Sequence, residues 1–473
     1  MSADVRPDAL GSLGRVHFVG IGGAGMSGIA RLLLARGIPV SGSDARDSAV
    51  LADLRAAGAR VEVGHAAEHL GDADTVVVST AVREANPELA EARRRDLAVL
   101  HRSQALAALM AGRRAAAVAG THGKTTTSSM LAVALQEAGL DPSYAIGGEL
   151  TPGQPQQGRG ARDGGGDVFV AEADESDGSF LAYSPAVAVV TNVEPDHLDH
   201  YGTAEAVEEA FAAFTRRIVP GGVLVACADD PGAARLAELA RSEGVRVRTY
   251  GSAEGADVRL LGLTAEGGGV RAEVVTAAGS LGELRLRVPG EHNALNAAAA
   301  LTAAVELGAA AGEALAGLAT FGGARRRFEL RGEVAGVRVV DDYAHHPTEV
   351  RAVLRAAREV AGGGRVLAVF QPHLVSRTRI FAADFGAALA LADEVVVLDV
   401  YVAREDPDPA VTGALVASAV ALPAAAVAYE PDRGAAVARL AGRARAGDVV
   451  LTLGAGDVTD LGPRLLDALG ARP

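Results

Sequence analysis

Apolar and polar positions along this chain switch period repeatedly. Short apolar runs at 15–19, 38–43, 60–63 and 75–79 alternate with stretches of helical period, the clearest being 26–35, which Gly37 stops. A second series follows: a strand at 115–118, a helix at 126–138 closed by Gly139, and buried strands at 167–171 and 186–190. Residues 245–288 carry β-rich runs broken by glycine pairs, which predict an antiparallel addition, and an alanine-rich helix at 294–307 comes next. A third series has strands at 337–340, 365–370, 394–400 and 448–453 around a helix at 348–360. Alternation of this kind builds open, mainly parallel sheets whose carboxyl edges bind ligands. The 473 residues suit three such α/β domains at ~100–200 residues each. Their expected limits are 1–112, 113–322 and 323–473.

Two glycine loops interrupt the pattern at strand-to-helix turns. Gly20-Ile21-Gly22-Gly23-Ala24-Gly25 leads into Met26 and Ser27, and Asp44 ends the next strand. This makes the first domain Rossmann-like, with a pyrophosphate expected on a helix N-terminus. The motif alone leaves NAD, FAD and a UDP-sugar open, so a dehydrogenase stays in play. The second loop, Gly120-Thr121-His122-Gly123-Lys124-Thr125-Thr126, makes the central domain P-loop ATPase-like. It has two residues between Gly120 and Gly123 where the common phosphate loop has four. Lys124 is nevertheless the only lysine among 45 basic residues. A chain otherwise reliant on arginine keeps a compact ammonium at this one point.

The strand ends beside that loop are polar. The run 172–177 contains Glu172, Asp174, Glu175 and Asp177, and acids beside a phosphate loop are where Mg2+ is held. Glu172, directly after its strand, is the better candidate; the other acids are equally readable as a solvated turn. Residues 191–200 bring His197, His200 and three acids to the next strand end. His292 and Asn293 open a helix and would serve equally well as its cap. The stretch 153–166, rich in Gly, Gln and Arg, reads as an exposed, mobile loop. A cationic cluster, Arg325-Arg326-Arg327, marks the junction to the third domain. There the strand ends carry Asp341-Asp342-Tyr343-Ala344-His345-His346, then Gln371-Pro372-His373 with Arg377, then 401–405 with Arg404, and finally Gly454-Ala455-Gly456-Asp457.

Charge narrows the partners. A net charge of −14 argues against nucleic acid and anionic membrane surfaces. Cys227 stands alone, which excludes an internal disulfide framework. No leader pattern and no run of 18 uncharged apolar residues occurs. A cytoplasmic location is expected.

In their order and spacing, from 17–23 through the shortened phosphate loop to Gly454-Ala455-Gly456, these segments resemble the Mur ligase family over nearly the whole chain. The resemblance implies ATP-driven amide formation with ATP and Mg2+, and Met26-Ser27-Gly28 points to the branch joining L-alanine to UDP-N-acetylmuramate. The alternative in the same family is the ligase that takes murein tripeptide. A non-catalytic UDP-sugar sensor is the reading outside catalysis. The family pattern implies that Gly22, Gly23, Ala24, Gly25, Met26, Ser27 and Asp44 hold the UDP-sugar. Gly120, Thr121, His122, Gly123, Lys124, Thr125 and Thr126 would cradle ATP, with Asn293, Arg326, Arg327, Asp342 and Tyr343 as further nucleotide contacts. Thr125, Glu172 and His197 would bind metal. His197, His345, His346 and Arg377 join Lys124 as candidates in the chemistry, and His373 with Arg377 would meet the amino acid. Where the family pattern has arginine after the first histidine, this chain has Leu374 in His373-Leu374-Val375-Ser376-Arg377. That removes one partner for the alanine carboxylate. Ligand-driven closure of the domains, and a monomer or homodimer, are the further expectations.

Overall fold

The structure, a computed structural model, describes residues 10–151, 160–403 and 405–471, with the backbone alone at Ala24 and Asp199. Half of the loop expected at 153–166, residues 153–159, lies outside the described residues, as do the first nine residues and Arg404. The other half is not an exposed loop, since Ala161–Arg162 pairs as a strand with Ser143–Ala145 and Ala161 and Gly164 are buried. Contacts divide the chain into two compact units. The first comprises Met1–Leu261, Glu273–Glu283 and Leu295–Thr320; the second comprises Gly262–Ala272, Leu284–Ala294 and Phe321–Pro473.

The first unit begins with a parallel sheet of β1 (Val16–Val19), β2 (Val40–Asp44), β3 (Arg60–Val63), β4 (Thr75–Val78) and β5 (Ala98–His101), in the order β3-β2-β1-β4-β5. The chain reverses its winding between β1 and β4, and a crevice opens at such a point. β1 is buried along its whole length, so its carboxyl end delivers the first glycine loop into that crevice. The following helix, Ala24–Ala35, starts two residues earlier than expected, which places Gly25 inside its first turn.

The same unit continues with β6 (Arg114–Ala119), β7 (Ser143–Ala145), β8 (Ala161–Arg162), β9 (Val168–Glu172), β10 (Val187–Val190), β11 (Val223–Cys227) and β12 (Arg246–Gly251). Their order is β12-β11-β10-β6-β9-β7-β8. β6 lies between β9 and β10, parallel to both. The phosphate loop after β6 is thereby flanked by the acids after β9 and the polar run after β10. This adjacency is created by the fold and is not visible in sequence distance. The β-rich run resolves into β12, β13 (Val258–Glu266), β14 (Gly269–Thr276) and β15 (Gly279–Leu286). Its first pairing, β12 with β13, is parallel and not antiparallel as expected.

The second unit holds β16 (Glu329–Val334), β17 (Val337–Asp342), β18 (Val366–Phe370), β19 (Glu394–Val397), β20 (Val427–Tyr429) and β21 (Val449–Leu453), ordered β16-β17-β21-β18-β19-β20. Only the edge pair β16–β17 is antiparallel. Valine- and leucine-rich cores line both faces. Asp341 and Asp342 fall within β17, where a strand ending at residue 340 was expected. Among the described residues no helix is long and apolar enough to cross a membrane.

One buried charge shapes the first sheet. Glu88, at 0% exposure, accepts a hydrogen bond from the Ser43 hydroxyl at 2.6 Å and lies 3.2 Å from His69 Nδ1 and 3.4 Å from His65 Nδ1. Burial favours its neutral form, but His17, Ser43 and the charge of His65 outweigh that and hold its pKa at about 2 against an ordinary 4.5. A depressed folded pKa contributes stability that is present above pH 4.5 and lost as pH falls toward 2. Glu88→Gln is expected to lower stability at pH 7 by about 2–3 kcal/mol. In urea denaturation the gap to wild type should close as pH falls through that window; a pH-independent gap would contradict the assignment.

Candidate functional site

Gly120 and Gly123 shape the phosphate loop by close approach. Both have positive φ, +132° and +82°. A Cβ on Gly120 would meet Thr191 Oγ1 at 2.0 Å, and one on Gly123 would meet Asn296 Oδ1 at 2.6 Å. No side chain fits at Gly120 without rebuilding the strand end at Thr191, or at Gly123 without displacing Asn296 of the helix Glu291–Glu306. That strand end also grips the loop's backbone. His122 N–H donates to Asn192 Oδ1 at 2.7 Å, and Asn192 Nδ2 and Thr191 Oγ1 donate back to the His122 carbonyl. Thr121 Oγ1 accepts from Glu194 N–H at 2.9 Å.

The helix after the loop, Lys124–Glu137, begins at the lysine itself, two residues earlier than expected. Lys124 and Thr125 therefore stand in its first turn, at the positive end of the helix dipole. Lys124 Nζ donates to the carbonyls of Gly120 and Thr121 at 2.7 and 3.2 Å and to Glu175 Oε1 at 3.0 Å. Burial opposes its charge, yet Glu175, Asp174 and Glu172 together raise its pKa, so it is an ammonium. Glu175 is 2% exposed. Its pKa is lifted to about 7, first by burial, with Lys124 pulling the other way. Thr126 is buried on the same helix, and the Thr127 hydroxyl donates to Asn296 at 3.2 Å.

Thr125 Oγ1 donates to Glu172 Oε1 at 2.9 Å, while Glu172 Oε2 accepts from Gly147 N–H at 2.7 Å. His197 has φ +53°, a conformation uncommon for any residue but glycine. Its Nε2 lies 3.7 Å from both Glu175 Oε1 and Asp196 Oδ2. Hydroxyl, carboxylate and imidazole groups thus meet at one sheet edge. Oxygen donors of this kind suit a hard divalent cation.

At the other glycine loop, Ser43 O accepts the N–H groups of Gly20 and Ile21 at 2.8 and 2.9 Å. Asp44 Oδ2 accepts that of Gly22 at 3.0 Å, so Asp44 braces the loop itself. Met26 and Ser27 are buried in the helix, whereas Gly23 and Gly25 are exposed at its start. The exposed helix N-terminus, including the backbone of Ala24, is what remains for an anion.

The second unit gathers its own set. Arg326 donates to the carbonyls of Gly454 and Gly456 at 2.7 and 3.0 Å, lies 3.4 Å from Asp341, and stacks with Arg327 against Tyr343 at 4.9 and 5.0 Å. Arg326 therefore braces the glycine turn after β21. Asp342 accepts N–H bonds from Phe328 and Ala344, both at 2.7 Å, and burial ahead of the opposing Arg327 charge lifts its pKa to about 6. His345 Nδ1 sits 3.0 Å from the Tyr343 carbonyl, and its ring meets that of His373 edge-on at 6.0 Å. His373 stacks on Tyr401 and lies 3.5 Å from buried Arg377. His346 caps the helix Pro347–Ala361 through Nδ1, which accepts from Thr348 N–H at 3.4 Å. The helix beginning at Glu291 takes in His292 and Asn293, neither of which is its cap; Asn293 Nδ2 donates to the Pro289 carbonyl at 2.7 Å.

Two contributors escape sequence reading. Glu175 is indistinguishable from Asp174 and Asp177 until burial singles it out. Asn296, three residues beyond Asn293, reaches the phosphate loop across 169 residues of chain, and only its helical spacing from Asn293 hinted at a shared face.

Comparisons agree with this arrangement. The Mur ligase family catalytic domain matches residues 15–114, the Mur ligase middle domain 118–304, and the Mur ligase glutamate ligase domain 326–456. The chain is 69% identical over 468 residues to UDP-N-acetylmuramate–L-alanine ligase of Kineococcus radiotolerans, covering 98% of each chain. It is 61% identical to the ligase of the same name from Saccharopolyspora erythraea, covering 97% of this chain and 94% of that one. Among solved structures it is similar to UDP-N-acetylmuramate–alanine ligase from Thermotoga maritima, with TM-score 0.77 at 30% identity over 96% of this chain and 98% of that one. A murein peptide ligase from Psychrobacter arcticus gives TM-score 0.70 at 26% identity, covering 97% of this chain and 99% of that one.

Proposed function

Because this chain belongs to the Mur ligase family, we infer its reaction from its near relatives and its own phosphate loop. It is an ATP-dependent ligase that joins L-alanine to the lactyl carboxylate of UDP-N-acetylmuramate in peptidoglycan precursor synthesis. The observation that carries this reading is 69% identity over 98% of the chain to an L-alanine ligase, in a chain whose only lysine stands at the phosphate loop.

We assign residues 1–112 to the UDP-sugar, 113–322 to ATP and 323–473 to the amino acid. Lys124 and the loop N–H groups orient the ATP phosphates, so that the lactyl carboxylate attacks the γ-phosphorus and ADP leaves. The L-alanine amine then attacks the acyl phosphate, and inorganic phosphate departs. Positioning and charge neutralisation supply most of the acceleration. Thr125, Glu172 and His197 would hold Mg2+, which when bound neutralises charge on the phosphates. His197, His345 and His346 are the candidate proton acceptors for the amine. We assign the amino-acid carboxylate to Arg377 with His373, since Leu374, buried at φ +71°, supplies no cation.

The test is phosphate release from ATP with UDP-N-acetylmuramate and Mg2+, comparing L-alanine, glycine, L-serine and murein tripeptide. L-Alanine should support the highest kcat/KM. Preference for the tripeptide would establish the family alternative, and release independent of any amino acid would overturn the reading.

A further inference from the structure

Between the two glycine loops of the first unit lies a line of charges that the proposed mechanism leaves unused. Arg102, in the first turn of the helix Arg102–Met110, is half-buried. Its Nη2 donates to Asp174 Oδ2 at 2.9 Å and lies 3.9 Å from Asp177. Its Nη1 would stand 3.4 Å from a Cβ placed on Gly25. One end of the guanidinium fork thus faces the exposed N-terminus of the helix Ala24–Ala35, and the other is held by a carboxylate. Asp174 precedes Glu175, the partner of Lys124, and Asp174 and Lys124 each stabilise the charge on the other. Asp174 thus holds the cation beside one glycine loop directly and is the chain neighbour of the carboxylate that holds the cation of the other.

We propose that Asp174 is a shared counter-ion that couples the two anionic ligands, with Arg102 answering the diphosphate of the UDP-sugar and Lys124 the phosphates of ATP. This rests on the ligand assignments above. Each bound anion draws one cation away from the same half-buried carboxylate. The first ligand leaves Asp174 with the charge of its other cation, and the second leaves it with only the Ser176 N–H. An uncompensated carboxylate in a partly desolvated place is unfavourable, so Asp174 makes joint occupancy harder than the sum of separate bindings. Coupling of this kind is reciprocal between the ligands. Arg102 and Asp174 act as positioning residues and need touch no reacting atom.

Calorimetry on the full chain tests this. The Kd of UDP-N-acetylmuramate is measured with and without saturating ATP, in EDTA and without amino acid so that no turnover intervenes; saturation is set by a separate ATP titration. The coupling factor is the ratio of the two Kd values. Coupling from any other source is common to wild type and variant, so the readout is the change in this factor. Asp174→Asn, which keeps the size and the Ser176 N–H acceptor, should shift it at least about fivefold toward joint binding. Arg102→Gln, which removes the cation to be withdrawn, should shift it in the same direction while weakening the UDP-sugar alone. Both variants are checked by thermal melting. Factors within twofold of wild type in both variants overturn the proposal. Wild-type binding of neither ligand overturns instead the functional reading, and the coupling with it.

Discussion

Lys124→Ala should lower kcat by about 10³-fold or more, the loss expected when a transition-state charge is left unstabilised. The affinity for UDP-N-acetylmuramate should fall far less, by about fivefold, because that ligand is assigned to a separate loop and is penalised only through the cation that Asp174 loses. The size of the effect follows from the sequence and the geometry together. Lys124 is the only lysine in the chain, so no neighbour can take its place, and it stands in the first turn of the helix that follows the loop. Lys124→Arg should fail as well. The loop carbonyls at 2.7 and 3.2 Å and Glu175 at 3.0 Å enclose a point charge, and a planar guanidinium does not fit that cage. Steady-state rates and calorimetric Kd values separate these expectations, and a Lys124→Ala enzyme with near-normal kcat would exclude the phosphate-loop assignment.

The second large effect is expected at Glu172. Glu172→Ala should lower activity about 10²-fold or more and raise the Mg2+ concentration needed for half-maximal rate. The carboxylate has two jobs: one oxygen accepts from the Thr125 hydroxyl at 2.9 Å and the other from Gly147 N–H at 2.7 Å. Glu172→Gln separates them, since its amide oxygen still accepts from Gly147 while the charge is gone. If charge is what matters, the Gln variant melts like wild type yet shows the same altered Mg2+ dependence as Ala. A Gln variant with wild-type Mg2+ dependence would instead assign Glu172 to holding the 147–148 turn.

The alternation of short apolar runs with helical stretches makes three α/β sheets legible in the sequence. Two glycine loops and one isolated lysine located the anion-binding edges. What sequence could not supply was lateral order. Nothing local says that β6 lies between β9 and β10, and that placement alone brings Lys124, Glu172 and His197 to one edge. Burial was equally hidden. Glu175 and Glu88 look like solvated acids in sequence, yet they are 2% and 0% exposed and each is paired to histidine, lysine or serine partners far along the chain. The β-rich run misled for a related reason: glycine pairs mark turns, but the partner of β13 is chosen by the sheet edge that β12 leaves open, and the pairing there is parallel. In the third domain the positions of Asp342, Arg326 and His346 were legible, but their partners were not. Asp342 is held by two backbone N–H groups, Arg326 by the glycine turn and His346 by its helix start.

The most direct test of the central claim follows oxygen. With UDP-N-acetylmuramate labelled with 18O in both lactyl carboxylate oxygens, and with ATP, Mg2+ and L-alanine, one labelled oxygen should appear in each phosphate released. The L-alanyl product should retain the other, as read by mass spectrometry. Unlabelled phosphate, or the absence of an L-alanyl adduct, would contradict activation of that carboxylate at the Lys124 loop.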